Sequence, residues 1–382
     1  MVKALSKPVV VVAPDSFKGS LSGQQVAEAI GLGIRRACPD ADIRLCPMAD
    51  GGEGTLDAML LAGGSRRTIN VRGAAGVPRV ATIGLLNDGS VVIETAEIVG
   101  ITDADGMAVP VTERDTRGLG QAIRVLLDEG WRRFYVALGG SSTNDGGAGL
   151  LVSLGLELQD ADGNAVEPIP SMLRQIRHVN TSGLDARLKA ATIVAMSDVN
   201  NPLTGHNGAT AVFGPQKGVA PEQIKDIDAA ILHFATLAEN ALCTSARETR
   251  GAGAAGGLGF ALRMLGAEFK PGAEVVAEKV GLDAALVGAD WLITGEGRSD
   301  MQTLHGKAPL VACKHARQLG VDTSLLSGSI DPSALSQLSA HFRGCFSPAP
   351  GPISLDDAIR DAADLLANEA EQLARMKFGS RA

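Results

Sequence analysis

The chain has 382 residues, a net charge of −8 at pH 7 and a hydrophobic content of 45%. This length is typical of two domains, and the apolar share is sufficient to fill their cores. The acidic balance and the lack of a basic stripe argue against nucleic acid or an anionic membrane as a partner, and no apolar run approaches membrane-spanning length.

The N-terminal segment contains two lysines and a short apolar run, which faintly resembles a signal peptide. The run is too short, and it ends at Pro14-Asp15 without a small-residue cleavage site. We therefore interpret residues 8–13 as a first β-strand. The five cysteines are scattered and form neither a CxxC pair nor a zinc-like spacing with histidine. Such cysteines are typical of reduced thiols, so we expect a cytoplasmic protein.

The first seventy residues alternate between strand patterns and helix patterns. Ser22 begins a predicted helix, because Gln25 completes a capping box three residues later. A short strand at 43–45 follows, and then a helix from about residue 55 that ends at the glycine pair 63–64. Strands and helices that alternate in this way predict a parallel sheet.

The middle of the chain has a different pattern. Apolar runs at 80–86 and 91–95 flank a turn that contains Asp88-Gly89, which predicts a β-hairpin. Antiparallel strands mixed with helices indicate a separate α+β region. The other predicted elements here are a helix over 119–127, strands at 134–138 and 193–196, and a long helix after Pro221.

The strand–helix alternation returns from about residue 290. The predicted elements are a strand at 291–294, a helix over 308–319, a strand at 323–326 and a closing helix over 354–375. Because both ends of the chain share this pattern, we predict that they form one α/β domain, 1–72 plus 291–382. The second, mixed α/β domain, 73–290, is then an insertion.

Two loops near the N-terminus follow predicted strands. The first, 14–20, contains Ser16 and Lys18, and ligands of open α/β sheets bind at the carboxyl ends of the strands. A lysine there can bind a phosphate or a carboxylate, although a solvated turn lysine is an equal alternative. The second loop, 49–55, places two carboxylates among three glycines, which suits Mg²⁺. Its alternative is an acidic helix N-terminus.

Two further loops follow the strands of the middle region. Loop 139–149 contains small hydroxyl and amide side chains between glycine pairs, so that its N–H groups can approach an anion closely. Loop 197–202 contains Asp198, which we expect to act as a base or a metal ligand. Its alternative is an Asx turn before Pro202.

Residues 251–256 match GxGxxG, but a polar segment precedes them instead of a strand. We therefore discount a dinucleotide oxidoreductase and interpret this segment as a helix N-terminus that can hold an anion. The last loop, 294–307, combines metal-type acids with phosphate-type cations. No P-loop sequence occurs in the chain.

Together these loops favour metal-assisted phosphoryl transfer. That chemistry needs backbone donors, cations and carboxylates around a triphosphate, and a group that orients the attacking hydroxyl. The alternative is a non-catalytic sensor that binds a phosphorylated metabolite, which would not need the full set of carboxylates.

At these loops the chain strongly resembles the bacterial glycerate kinase family, of the glycerate 2-kinase type. The motifs that carry the resemblance are APDSFKGSLS (13–22), ADGGEGT (49–55), GGSSTNDGGAG (139–149), SDVNNPLTG (197–205), FGPQKG (213–218), GAGAAGGLG (251–259) and TGEGRSDMQTLHGK (294–307). They occur in family order and span nearly the whole chain.

The resemblance implies an ATP-dependent kinase that uses Mg²⁺ and phosphorylates D-glycerate by in-line transfer. We expect 2-phosphoglycerate as the product, with 3-phosphoglycerate as the alternative, and a reaction in an interdomain cleft. The resemblance also implies a discontinuous flavodoxin-like domain with a different α/β domain inserted.

Residue roles follow as hypotheses from positions in the motifs. The catalytic candidates are Lys18, Asp198 and Arg298. The substrate-binding candidates are Ser16, Asn201 and Glu296. The nucleotide phosphates are expected at Gly139, Gly140, Ser141, Ser142, Thr143, Asn144, Asp145, Lys217 and Lys307. The candidate Mg²⁺ ligands are Asp50, Glu53 and Asp300.

One segment departs from the family pattern. Residues 112–120 are shorter than the usual Thr/Ser-rich stretch before the helix near residue 120. Any substrate contact that relatives make there is not expected in the same form here.

Overall fold

The computed structural model describes residues 7–379. Within them the chain divides into two compact units. Unit 1 contains the residues up to Asp50, the segment Asp57–Ala62 and the residues from Pro271 onwards. Unit 2 contains Gly51–Leu56 and Gly63–Lys270. The domain limits of 1–72 plus 291–382 and of 73–290 stay a prediction.

The described residues contain fifteen strands, labelled β1 to β15 in chain order. Their bounds are Val9–Val12, Asp42–Leu45, Gly64–Arg72, Pro78–Leu86, Val91–Glu94, Arg133–Ala137, Glu157–Gln159, His178–Asn180, Thr192–Met196, Glu268–Lys270, Trp291–Thr294, Arg298–Ser299, Thr323–Leu326, Ser329–Ile330 and Gly344–Phe346.

The same residues contain fifteen α-helices, labelled α1 to α15. Their bounds are Gly23–Ala37, Thr55–Leu61, Thr95–Val99, Ala104–Ala108, Arg117–Asp128, Ala148–Ser153, Ala209–Phe213, Ile224–Leu242, Leu258–Met264, Gly272–Lys279, Leu282–Leu286, Ala308–Gln318, Leu335–Ser339, Leu355–Arg360 and Ala362–Phe378. None of these helices combines the length and the apolar composition needed to cross a membrane.

Unit 1 is built on a five-stranded sheet with the order β15-β13-β11-β1-β2, in which every pair of neighbours is parallel. The inner strands β1, β11 and β13 are short and almost entirely buried, as expected for a sheet that is covered on both faces. The edge strand β2 is not buried and contains Asp42 and Arg44. The predicted α/β fold with a parallel sheet is confirmed, and the flavodoxin-like detail stays a prediction.

The pairing of β1 with β11 positions the loops of unit 1. Val12 lies opposite Ile293, although the two residues are 281 positions apart in the chain. The pairing continues beyond the ends of the two strands, where the Asp15 amide donates to the Gly295 carbonyl at 2.8 Å. The two loops that follow β1 and β11 therefore leave the same edge of the sheet, side by side.

Helix α1 begins as predicted. Its N-cap is Ser22, whose hydroxyl accepts from the Gln25 amide, while the Gln25 side chain accepts from the Ser22 amide. This capping box satisfies two of the amides that a helix start leaves without partners. The buried face of α1, including Ile30 and Ile34, packs in one core with Leu366 and Leu373 of α15.

Unit 2 is built on a six-stranded sheet with the order β10-β9-β6-β5-β4-β3. The predicted hairpin is confirmed, since β4 and β5 pair antiparallel. Strand β3, which the sequence analysis did not identify, pairs antiparallel with β4 along its whole length. Strands β5, β6, β9 and β10 are parallel, so the loops after β6 and β9 leave the same edge.

The predicted closing helix over 354–375 is wrong in one respect, because two helices, α14 and α15, occupy this region and meet at Asp361. Leu355 and Ile359 of α14 are exposed, whereas Leu366 and Leu373 of α15 are buried in the core. The apolar spacing extends across the junction, so a sequence pattern does not reveal the break.

The contact between α1 and α15 generates a test of this packing. A Cβ atom added at Gly33 would lie 2.1 Å from the Ala367 carbonyl oxygen, so Gly33→Ala is expected to lower the free energy of unfolding by about 1–3 kcal/mol. At Gly31 on the same helix the nearest atom would be at 3.4 Å, so Gly31→Ala is expected to raise it by about 0.5–1 kcal/mol. Thermal melts of both variants check the pair, and a Gly33→Ala protein as stable as wild type would contradict the packing.

Candidate functional site

The loops at the carboxyl edge of the unit 1 sheet line a cavity of about 560 Å³. Seven of the residues that the sequence analysis selected lie in its wall: Ser16, Lys18, Asp50, Glu296, Arg298, Asp300 and Lys307. The structure therefore brings together, within one unit, candidates from the first, second and last of the predicted loops. Asp15, which the sequence analysis left out, lies among them.

Asp15 is the most perturbed acid of this cavity. Its side chain is buried, and its carboxylate accepts from the Ser16 amide at 2.6 Å. Burial raises the pKa of Asp15 to about 8, and the negative charges of Asp50 and Glu296 act in the same direction. The Ser16 amide and the Lys18 charge oppose this shift without cancelling it. A buried acid with a raised pKa in a cavity is typical of a functional group.

Glu296 is buried like Asp15, but it is fully engaged. One carboxylate oxygen accepts from the Thr303 hydroxyl at 2.6 Å and from the Ser299 hydroxyl at 3.2 Å. The other lies 3.2 Å from the Lys307 ammonium. Glu296 thus fixes Lys307 at the cavity wall. Because an ammonium has three N–H groups, Lys307 retains donors for a second anion.

The remaining charged residues of the wall are more exposed. Lys18 and Arg298 are both exposed, and Arg298 forms an ion pair with Asp331 at 3.1 Å. Asp300 caps the short 3-10 helix Met301–His305 by accepting from the Gln302 amide at 2.8 Å. Because an exposed ion pair contributes little to stability, Arg298 can exchange Asp331 for an incoming anion at little cost.

Within residues 7–379, no three His, Cys, Asp or Glu side chains are grouped so that they could hold a metal ion by themselves. Of the predicted Mg²⁺ ligands, Asp50 and Asp300 line the unit 1 cavity, while Glu53 belongs to unit 2 and is exposed. Mg²⁺ in kinases is commonly held by one or two carboxylates together with substrate phosphates. The crowded pair of Asp15 and Asp50 fits that description.

In unit 2, the loop after β6 is an interior structure. Its residues Ser141, Ser142, Thr143, Asn144 and Asp145 are at most 5% exposed. Several of its amides already have protein acceptors: Gly139 donates to Gly51, Ser142 to Val99 and Gly146 to Gly256. These three amides are therefore already occupied, and the expectation that the loop binds nucleotide phosphates stays a prediction.

Asp145 organises this loop through four hydrogen bonds. Its carboxylate accepts from the amide and the hydroxyl of Thr116 and from the amides of Gly147 and Gly149, at 2.7–3.0 Å. Burial raises the pKa of Asp145 to about 6, and these hydrogen bonds limit the shift. Asp145 therefore holds the start of α6 against the segment before α5.

Lys217 is buried beneath the same loop. Its ammonium donates to the Ser141 hydroxyl at 2.9 Å and to the Thr143 carbonyl at 2.8 Å. Burial lowers the pKa of Lys217 to about 7, with Asp145 acting against the shift and Arg114 reinforcing it. A buried lysine without a carboxylate partner is costly unless such acceptors surround it.

Arg114 is a residue that the sequence analysis missed. It is only 3% exposed and donates to the carbonyls of Ser142 and Lys217, both at 3.0 Å. Arg114 and Thr116 both donate hydrogen bonds to loop 139–149. The short 112–120 segment therefore supports this loop. The polar Thr112–Thr116 run was the available sequence signal, but nothing in it indicated burial.

The loop after β9 contains the last two candidates. Asp198 is exposed, and the Asn201 amide side chain donates to the Asn207 carbonyl at 2.7 Å. The Asn201 carbonyl accepts from the Gly253 amide at 3.0 Å, which joins this loop to the GxGxxG segment. That segment contains Ala255 with a positive φ of 52° and precedes the seven-residue helix α9.

Comparison with known proteins adds independent findings. A sequence profile described as the Glycerate kinase family matches residues 10–377. The glycerate kinase of Bacillus subtilis (strain 168) is 42% identical over 373 residues, which cover 96% of each chain. The glycerate 2-kinase of Escherichia coli (strain K12) is 38% identical and covers 96% of this chain and 97% of its own.

A solved structure is also similar to this chain. A crystal structure from Salmonella typhimurium LT2, whose protein carries the name glycerate kinase 2, matches with a TM-score of 0.86 and 39% sequence identity. The match covers 97% of this chain and 98% of the other. The likeness therefore includes both compact units.

Replacement of the buried aspartates Asp15 and Asp145 by asparagine is expected to change the free energy of unfolding in opposite directions. The Asp15 pKa of about 8 lies above its ordinary value of 3.8, so between these limits the folded state holds a proton that the unfolded chain has lost. The contribution of protonated Asp15 to the free energy of unfolding is present in full below about pH 4 and is lost as the pH rises to about 8. Asp15→Asn removes that loss, and we expect the variant to be more stable at pH 8 by up to a few kcal/mol.

Asp145→Asn is the matched comparison. An amide nitrogen cannot accept from the amides that face Asp145, so we expect the free energy of unfolding to fall by about 1–3 kcal/mol. Melting temperatures of both variants and of wild type between pH 5 and pH 8 check this contrast. Curves for Asp15→Asn and wild type that run parallel across this range would show that Asp15 does not titrate as described.

Proposed function

The chain belongs to the glycerate kinase family, and we propose that it transfers the terminal phosphoryl group of ATP to a hydroxyl group of D-glycerate. We infer 2-phosphoglycerate as the product, with 3-phosphoglycerate as the alternative. The observation that carries the proposal is the unit 1 cavity, where three cations, Lys18, Arg298 and Lys307, lie beside the buried acids Asp15 and Glu296.

The cations supply the main requirement of phosphoryl transfer, which is stabilisation of the charge on the transferring group and the substrate carboxylate. Arg298 can offer two parallel N–H groups to a carboxylate or a phosphate. Lys18 adds a mobile point charge from the first loop, and Lys307 is held in place by Glu296. We assign Lys18 and Arg298 to the reacting groups and Lys307 to the nucleotide phosphates.

Mg²⁺ is the second part of the proposal. Asp50 and Asp15 would hold the ion, with Asp300 as a further candidate from the same wall. The ion would neutralise charge on the phosphates. Burial raises the pKa of Asp15 and the charge of Asp50 adds to the shift, and a bound cation would relieve that repulsion. Ser16, which follows Asp15, and Glu296 complete the wall as substrate-binding candidates.

Unit 2 contributes the remaining proposed groups. Asp198 is our candidate for the residue that orients or deprotonates the attacking hydroxyl, since it is an exposed carboxylate at the carboxyl end of β9. Asn201 and the loop 139–147 with Lys217 stay predicted binding elements. Their observed hydrogen bonds are all within the protein.

An activity assay with the full-length chain tests the proposal. With ATP, Mg²⁺ and D-glycerate, we expect release of ADP and one new phosphate monoester, whose oxygen is identified by phosphorus NMR. Lys18→Met is expected to lower kcat/KM by at least about 100-fold, because it removes a charge from the wall. Lys314→Met, which removes an exposed lysine of α12 outside the cavity, is the control.

ATP binding without ADP release in wild type would contradict the proposal and favour a sensor. Equal activity of Lys18→Met and Lys314→Met would remove Lys18 from the mechanism and leave the family activity intact.

Asp198→Asn tests the role of unit 2. The substitution keeps the size of the side chain but removes its charge and basicity, so we expect kcat to fall by at least about 100-fold with little change in melting temperature. Asp162→Asn, at another exposed loop of unit 2, is the control. Near-normal turnover of Asp198→Asn would exclude this residue as the base or orienting group.

A further inference from the structure

The residues that line the unit 1 cavity form two chemically different sets. One set is the charged residues described above. The other set, called the apolar wall below, includes Phe17, Pro348, Leu355, Ala358, Ile359 and Leu365. At about 560 Å³ the cavity falls within the range of roughly 300–1,000 Å³ for sites of drug-sized ligands. A three-carbon acid is far too small to fill it and has no surface that needs an apolar wall.

The apolar wall exposes large side chains. Leu355 is 74% exposed and Ile359 is 39% exposed. The two residues are four positions apart on α14, so they lie on one face of the helix. Exposed aliphatic side chains that line a cavity together with charged groups are typical of a ligand-binding surface, because a ligand that covers them removes apolar area from water.

The apolar wall is anchored to the loops that form the charged wall. The Ser20 hydroxyl, two residues after Lys18, donates to the Ile359 carbonyl at 3.1 Å. On the other side, the Ser347 hydroxyl donates to the Gly328 carbonyl at 2.9 Å, next to Pro348. These bonds connect the apolar wall to the loops that follow β1 and β13, which line the same cavity.

We propose that Leu355 and Ile359 form the subsite for the heterocyclic base of the nucleotide, whose phosphates face Lys18, Arg298 and Lys307. The inference rests on the proposed function and extends it to a part of the nucleotide that no motif assigned. A base offers two flat, weakly polar faces that aliphatic side chains cover well. The apolar wall and the charged residues line the same cavity, which favours one ligand that contacts both.

The test separates the base from the phosphates. Leu355→Ser and Ile359→Ser are each expected to raise the KM for ATP by about 10-fold, because each removes apolar contact with the base. The inhibition constant of inorganic tripolyphosphate, which has no base, and the KM for D-glycerate are expected to stay within about 2-fold of wild type. Leu319→Ser, at another half-exposed leucine outside the cavity, is the control and is expected to change none of them.

An unchanged KM for ATP in both variants would overturn the inference while wild-type kinase activity still supported the proposed function. An equal rise in the KM for ATP and in the inhibition constant of tripolyphosphate would also overturn the inference. The substitutions would then have disturbed the phosphate-binding residues and not a contact with the base. Absence of glycerate-dependent ADP release from wild type would contradict the proposed function alone. In that case calorimetry measures the dissociation constants of ATP and of tripolyphosphate for Leu355→Ser and for wild type. Weaker binding of ATP alone by the variant would support the base subsite.

Discussion

The parallel pairing of β1 with β11 is the constraint on which the candidate site depends. These strands come from opposite ends of the chain, and their register places Asp15 beside Gly295 through a backbone hydrogen bond. Two short loops, one with Lys18 and one with Arg298, therefore leave the sheet together. The carboxyl ends of neighbouring parallel strands are where α/β folds commonly bind ligands. Without this pairing, the acids and cations would have no common wall.

The two units bury carboxylates in different ways. Asp145 accepts four hydrogen bonds and serves as a fixed part of the interior. Asp15 has the amide of Ser16 as a donor, but burial, reinforced by the charges of Asp50 and Glu296, disfavours its ionised form. A fully satisfied acid stabilises a fold, whereas a crowded acid stores electrostatic energy that a cation can release. This contrast distinguishes Asp145, which is part of the interior, from Asp15, which lines the unit 1 cavity, although both follow strands in similar loops.

Much of the fold was predictable because its signals are local. The Ser22–Gln25 capping box, the alternation of strands and helices and the hairpin are all encoded within a few residues. The site was predictable only as a set of loops, since each loop follows a strand. Burial was not predictable: the sequence of loop 139–149 suits an exposed loop, whereas the loop is buried and contacts Arg114 and Lys217 from distant segments. Strand β3 and the break at Asp361 were likewise missed, because they depend on partners and surroundings.

The most direct test of the account is a crystal structure of the full-length chain with Mg²⁺, D-glycerate and a non-hydrolysable ATP analogue. The account predicts the triphosphate in the unit 1 cavity, with phosphate oxygens in contact with at least two of Lys18, Arg298 and Lys307. An analogue bound elsewhere, with none of these three side chains on a phosphate, would contradict it.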